Sequence, residues 1–294
     1  MTAVWIFLLS LLPLLIMVPA VFGYRWWMDR QPRRDPLTTD LRRLPGNSLQ
    51  ERRDTEREKV MTLMIWALAS GFITGITVIG RHLPQNGFNW QHTDTIYLLI
   101  GLGASAILTW RMVRYMPALQ RMKEGVRAEQ AAAQELGEAL AGRNRIIHDV
   151  QAGAFNIDHV VITPGGIFAV ETKSRLKPPA GKGAEAVKVR YDGKKLDFPG
   201  WSETAPLEQA RRQADWLARH LKAATGESFP VLAVLALPGW YVENTARITD
   251  EMVRVLNPKN ASWLFIKRPV SLDDAALQRA IFAVEKLAAE PVPD

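Results

Sequence analysis

The chain has 294 residues, a formal net charge of +7 and no cysteine. That length accommodates a membrane part and one globular domain, and the absence of cysteine excludes disulfides and thiolate metal sites. Residues 1–117 hold 13 Lys+Arg against 8 Asp+Glu and residues 118–294 hold 24 against 22, so the basicity belongs mainly to the N-terminal part and is not by itself a nucleic-acid footprint.

Residues 3–23 are apolar and uncharged, long enough to cross a bilayer. They lack the basic n-region and short apolar core of a signal peptide, and so read as a retained span. Residues 24–59 form a polar loop with ten Lys+Arg and seven acids, a solvated linker or a contact for anionic lipid. Leu49 to Lys59 reads as a short charged helix running into a second span, about Val60 to Gly80. Gly71 and Gly75 there have the spacing that lets helices approach closely. A third span is expected over about Thr95 to Val113, after a loop, residues 81–94, with one basic residue. Lys and Arg cluster in loop 24–59 and after the third span, which puts the N-terminus outside and residues 114–294 in the cytoplasm, on a multi-pass inner (plasma) membrane anchor.

Beyond the anchor, Ala118 to Ala141 carries apolar residues at helical spacing, including Leu119, Met122, Val126, Leu136 and Leu140. Glu129 falls within that stripe. A carboxylate on an apolar face needs a partner: a core cation, or a place in an acidic site as ligand or general base.

Arg145 to Val150 reads as a strand. Ile157–Thr163 and Ile167–Lys173 then flank Pro164-Gly165-Gly166, a hairpin signature in which Pro164 presets the first corner and Gly165 accepts a positive φ at the second. A symmetric turn between Pro164 and Gly165 places Asp158 opposite Glu171, with Cβ atoms about 5 Å apart. Lys173, two residues on, emerges on the face of Glu171. Two acids that close repel unless a cation lies between them. Acid, acid and lysine on one sheet face suit metal-assisted phosphodiester hydrolysis. The carboxylates would hold a hard divalent ion, Mg²⁺ or Mn²⁺, and the lysine would orient water or stabilise developing charge. The alternative is an edge hairpin with solvated charges. His159 should face the other side and pack; the remaining histidines, His82, His92, His148 and His220, have no metal-ligand spacing.

Residues 174–186 read as a loop, and Val187–Phe198 as a hairpin turning on Asp192-Gly193. Lys173–Lys195 holds eight Lys+Arg against two acids, either a track for a phosphate backbone or a solvated face. A helix follows, capped near Ser202 or Thr204 and closed by Gly226, with Leu207, Ala210, Ala214, Leu217 and Leu221 as its core stripe. Gln209 and Gln213, one turn apart on a neighbouring face, could serve a phosphate, a base or a metal-bound water, or simply solvent. Val231–Leu237 reads as a buried strand, Ala246–Leu256 as a short element with a helix, Trp263–Lys267 as a last strand and Leu272–Ala288 as a closing helix. Strands flanked by helices give an α/β sandwich.

Three stretches, Gly125-Val-Arg-Ala-Glu129, Ile157 to Lys173 and Pro206-Leu-Glu-Gln209-Ala, resemble the nuclease-related domain (NERD) family, a branch of the PD-(D/E)xK, restriction-endonuclease-like superfamily. The resemblance covers about residues 120–240 and departs at Ala128, where the family pattern has a second glycine. It implies a mixed sheet flanked by helices, with Glu129, Asp158, Glu171 and Lys173 as the active-site set. Asp158, Glu171 and Glu129 would bind metal, with Gln209 as a supporting polar group. The expected activity is a membrane-anchored, metal-dependent nuclease acting on nucleic acid, DNA foremost. The alternative is a non-catalytic nucleic-acid-binding or signalling module on the same fold.

Overall fold

The computed structural model describes residues 44–82, 90–140, 144–178 and 183–289. The expected span over residues 3–23 lies outside them. Chain contacts divide the protein into two units: Met1–Asp40 with Arg57–Pro117, and Leu41–Glu56 with Ala118–Asp294.

The first unit takes residues 57–82 of α1 (Asn47–His82) and residues 92–117 of α2 (His92–Ala139), and each helix contains a stretch long and apolar enough to cross a membrane. Their apolar side chains, among them Trp66, Leu68, Leu99 and Ile107, are exposed. The helices meet at Gly101, where a Cβ would collide with the Thr74 side chain. Gly71 and Gly75, expected to make the close approach, have nothing within 4 Å of where a Cβ would stand. Small residues permit contact but do not choose the face; the rotation of each helix does. Ser105 Oγ donates to the Ala67 carbonyl, and buried His82 and Asp94 pair at 2.8 Å near the helix ends.

The expected break between the third span and the next helix is absent, because α2 runs unbroken through Pro117. Proline removes one backbone bond, and strong helix formers on both sides (Arg114, Met116, Ala118, Leu119) outweigh that loss.

The second unit is a layered α/β domain. Its main sheet has the order β1 (Arg145–Gln151), β2 (Asn156–Thr163), β3 (Gly166–Thr172), β7 (Val231–Ala236), β9 (Arg254–Leu256). The first three strands are antiparallel; β7 and β9 add in parallel, so the sheet is mixed. A second sheet, β6 (Trp201–Glu203), β5 (Leu196–Phe198), β4 (Lys188–Tyr191), β8 (Tyr241–Asn244), is also mixed.

Helices α3 (Ala205–Thr225) and α5 (Asp274–Ala289) cover one face of the main sheet, burying Leu217, Leu221, Leu277 and Val284 against Val160, Ile162, Ile167 and Ala169. The end of α2 and the short α4 (Ser262–Phe265) cover the other, with Leu136, Leu140, Leu264 and Phe265 against Val161, Phe168 and Val170. β3 is buried along its whole length. Gly226, in the left-handed region at φ 76°, closes α3 as expected.

The hairpin register is the expected one, from Thr163 opposite Gly166 to His159 opposite Val170. The positive φ sits at Gly166 (φ 142°), not Gly165. Gly165 is needed for space, since a Cβ there would lie 2.9 Å from Arg268 Cβ. Ser271 N and Leu272 N both donate to the Pro164 carbonyl, docking the turn on the segment that leads to α5.

Three other expectations change. The Asp192-Gly193 turn has four residues, because Arg190 pairs with Asp197 and Tyr191 with Leu196, and Asp192 Oδ1 accepts from the backbone of Lys194 and Lys195. Trp263–Lys267 is not a strand: α4 occupies Ser262–Phe265, and one helical turn buries both Leu264 and Phe265. An apolar run this short carries no readable period. Within Ala246–Leu256 there is no helix, only β9, held by its parallel pairing with β7.

His159 is fully buried, with its Nδ1 2.9 Å from His148 Nδ1. Burial, then the charge of His148, holds its pKa down at about 3, from an ordinary 6.5. Because the unfolded chain takes up this proton and the folded chain does not, stability should fall as pH drops from 6.5 toward 3, by up to about 1.4 kcal/mol per pH unit. Denaturant melts between pH 7 and 4 should show a shallower decline for His159→Leu than for wild type.

Candidate active site

The hairpin places its acids by parity. On β2, Asp158 shares a face with Val160 and Ile162, and on β3, Glu171 shares one with Ile167 and Ala169; this is the face covered by α3. Past the last paired residues, Asp158 Oδ2 accepts from Thr172 N at 2.7 Å, so the carboxylate takes over where the ladder stops. Lys173 is held by its own N–H, which donates to the Ala236 carbonyl on β7.

Asp158 (6% exposed), Glu171 (2%) and Glu129 (7%) line one cavity of about 410 Å³, together with Lys173 and Gln209. Glu171 is clamped: Lys173 Nζ donates to Oε1 at 2.5 Å and Gln213 Nε2 to Oε2 at 2.5 Å. Gln213 also reaches the Asn156 carbonyl at 3.0 Å. The amide that holds the acid is therefore Gln213, while Gln209, one helical turn earlier, stands on the cavity wall. Helical spacing alone does not separate the two glutamines, since both point to similar faces.

Three further features carry no local signature in the sequence. Asp149 on β1 is fully buried and in the left-handed region at φ 50°, where the β1–β2 ladder skips a pair. Its carboxylate accepts from Ser48 N (3.2 Å), Ser48 Oγ (2.8 Å) and Asn156 Nδ2 (2.9 Å). The first turns of α1, expected to be linker, thus belong to the site: Ser48, Leu49 and Arg52 line the cavity, and Leu49 packs where a side chain on Gly125 would stand. Arg121, from α2, lines it as well. The basic run Lys173–Lys195, by contrast, is largely paired within the domain. Arg175 bonds Glu203, Lys188 and Arg190 share Glu185 and Glu243, and Lys195 meets Asp197.

Burial, then the charges of Glu171 and Glu129, pushes Asp158 well above the usual carboxylate range. Burial, then Asp149 and Glu171, raises Glu129 to about 7. Glu129 Oε2 is buried with no hydrogen-bond partner. Lys173 pairs with Glu171, and the carboxylate oxygens of the three buried acids face a shared space. Such oxygens could hold a hard divalent ion, with Asp158, Glu171 and Glu129 as the residues that would ligate it. Among the described residues no group of three such side chains is already drawn together at metal-binding distances.

The model of the nuclease-related domain (NERD) family matches residues 124–238. No curated protein and no solved structure matches the chain. The matched region contains Glu129, Asp158, Glu171, Lys173, Gln209 and Gln213; Ser48, Arg52 and Arg121 lie outside it. The mixed α/β architecture is consistent with a nuclease-like fold.

Gln213→Leu should strip Glu171 of a buried hydrogen bond and cost about 1–3 kcal/mol in denaturant melts. Gln209→Leu should stay within about 0.5 kcal/mol of wild type. Equal effects of the two would contradict the geometry.

Proposed function

We propose that this protein is a metal-dependent nuclease that hydrolyses phosphodiester bonds, those of DNA foremost, on a membrane anchor that leaves the second unit in the cytoplasm. The observation that carries the reading is the convergence of Asp158, Glu171 and Glu129, with Lys173, on one cavity inside the region matched by the nuclease-related model. The anchor reading is supported by α1 and α2, which are long and apolar enough to cross a membrane, and by the distribution of Lys and Arg around them.

Asp158, Glu171 and Glu129 would hold a Mg²⁺ or Mn²⁺ ion. When bound, such an ion polarises the scissile phosphate and lowers the pKa of water. The protein's own groups do the rest. Thr172 N and Gln213 fix the orientations of Asp158 and Glu171. Lys173, on the same strand end, offers N–H donors to a phosphate oxygen and a positive charge where negative charge develops. Where Glu129 stands off the ion instead of ligating it, its pKa of about 7 lets it accept a proton near neutral pH.

A second reading, a nucleic-acid-binding module without turnover, is favoured by one observation. Lys173 already occupies Glu171 Oε1, and no three-acid group stands ready among the described residues.

The full chain, in detergent, should cut DNA with Mg²⁺ or Mn²⁺ and stop on adding a chelator. Asp158→Asn and Glu171→Gln should each lower kcat by at least about 10³-fold with melts near wild type, and Lys173→Ala by about 10²-fold with a stability loss of about 1–3 kcal/mol, because buried Glu171 loses a donor. Cleavage undiminished in both acid variants rules the enzyme out. Binding without cleavage under either ion selects the second reading.

A further inference from the structure

A row of aromatic rings runs along one flank of α3. Phe155, in the turn between β1 and β2 and 37% exposed, meets Trp216 edge-on with ring centroids 5.9 Å apart. Trp216 stacks on His220, at 5.1 Å and 12° between planes. His220 lines a second cavity, of about 400 Å³, between α3 and α5, and Phe282 lines it from α5 with 71% of its surface exposed. The row starts at the cavity that holds the acids, because Asn156, the residue after Phe155, and Gln209, in the first turns of α3, both line that cavity. Cations accompany the rings. Arg212 and Arg219 stand four positions before and three after Trp216, hence on its side of the helix, and Lys286 lines the second cavity. All three are exposed, and none makes an ion pair among the described residues, not even with Asp215, the acid between the two arginines in sequence. Arg279, on the same cavity wall as Lys286, is by contrast bound to Glu227.

We propose that this flank of α3 is a track for a nucleic-acid strand with unpaired bases, which holds the strand where it runs out from the acid-lined cavity. This rests on the nucleic-acid reading above and deepens it. Exposed rings and unpaired cations in alternation match the two repeating parts of such a strand: every base has a π-face and every linkage a negative charge. Phe155 and Phe282 offer faces to bases, and the guanidinium forks of Arg212 and Arg219 suit phosphates, with Lys286 as a further point charge. Base faces inside a duplex are already stacked on one another, so the rings act only on unpaired bases. A protein partner would call for a contiguous apolar patch, and here the cations interrupt it. From Gln209 to His220 the helix rises about 16 Å. That is the length of about five nucleotides at a stacked spacing of about 3.4 Å. Binding along the track is tolerant of sequence, dependent on strand length and sensitive to salt.

The test uses the full chain in nanodiscs of neutral lipid, with a chelator present, and fluorescent thymidine oligonucleotides of about 3 and about 12 nucleotides, titrated at several salt concentrations. Wild type should bind the longer strand at least tenfold tighter than the shorter. Phe155→Ala with Phe282→Ala should weaken binding of the longer strand at least tenfold and leave the slope of log K against log salt unchanged. Phe155→Trp with Phe282→Trp should keep wild-type affinity, whereas the corresponding leucine pair, apolar but without rings, should behave as the alanine pair. Arg212→Ala with Arg219→Ala should flatten the slope by about 1.4, at about 0.7 for each phosphate no longer neutralised. Lys194→Ala, on an exposed turn of the second sheet, should change neither quantity. The track is overturned if either alanine pair binds the longer strand with wild-type affinity and slope, if the two lengths bind equally, or if the annealed duplex shows the same dependence on the phenylalanines. Alanine pairs that also cut the longer strand with unchanged KM would sink the track and leave the nuclease standing. Binding that depends on the rings and arginines, with no cleavage under Mg²⁺ or Mn²⁺, would do the reverse.

Discussion

Two carboxyl groups buried side by side at the open end of a hairpin are the constraint around which this domain is built. Asp158 and Glu171 sit at neighbouring strand ends, almost without solvent, and burial, then the charge of Glu171, raises the cost of ionising Asp158. A protein that only needed a stable sheet would put apolar side chains there. Instead, the surroundings supply specific donors: the Thr172 amide for Asp158, and Gln213 and Lys173 for Glu171. Even so, Asp158 and Glu129 remain displaced toward their neutral forms, and Glu129 keeps an oxygen without a partner. Incomplete neutralisation of this acid cluster is the observation on which the proposal of a divalent ion rests.

The helices on either face do more than cover the sheet. α3 delivers Gln213 to the acid while its Leu217 and Leu221 fill the core, so binding chemistry and stability come from the same helix. α2 does the same from a different direction: Leu136 and Leu140 pack under β3, and Glu129, two turns before Leu136, enters the cavity. The first turns of α1 close the arrangement through Ser48, whose amide and hydroxyl hold Asp149 in a backbone conformation unusual for a non-glycine residue. Strain at Asp149 is tolerable because three donors fix its carboxylate. One consequence is practical: a fragment beginning near residue 115 would lack Ser48, Leu49 and Arg52, and would present an incomplete cavity.

Elements defined by their own local pattern were legible from residues alone. The hairpin register followed from Pro164-Gly165 and strand alternation, and α3 from its stripe, its start after Thr204 and its stop at Gly226. Elements defined by their neighbours were not. β9 has three residues and exists because β7 accepts it, α4 is one turn that a core pocket selects over a strand, and the glycine where the helices meet is Gly101 and not Gly71 or Gly75. Likewise the basic run after Lys173 reads as a binding track until Glu185, Glu203 and Glu243 are seen against it.

By itself, then, the sequence determined the acids on the hairpin, their common face, the apolar helices and the order of the main elements, because strand and helix periods act over a few residues and need no partner. Tertiary structure alone decided which glutamine touches Glu171, that Ser48 bonds Asp149, and that Arg52 and Arg121 line the same cavity as the acids. Those facts depend on segments from 42 to more than 100 positions apart meeting in space, and the distance between them is set by how the core packs.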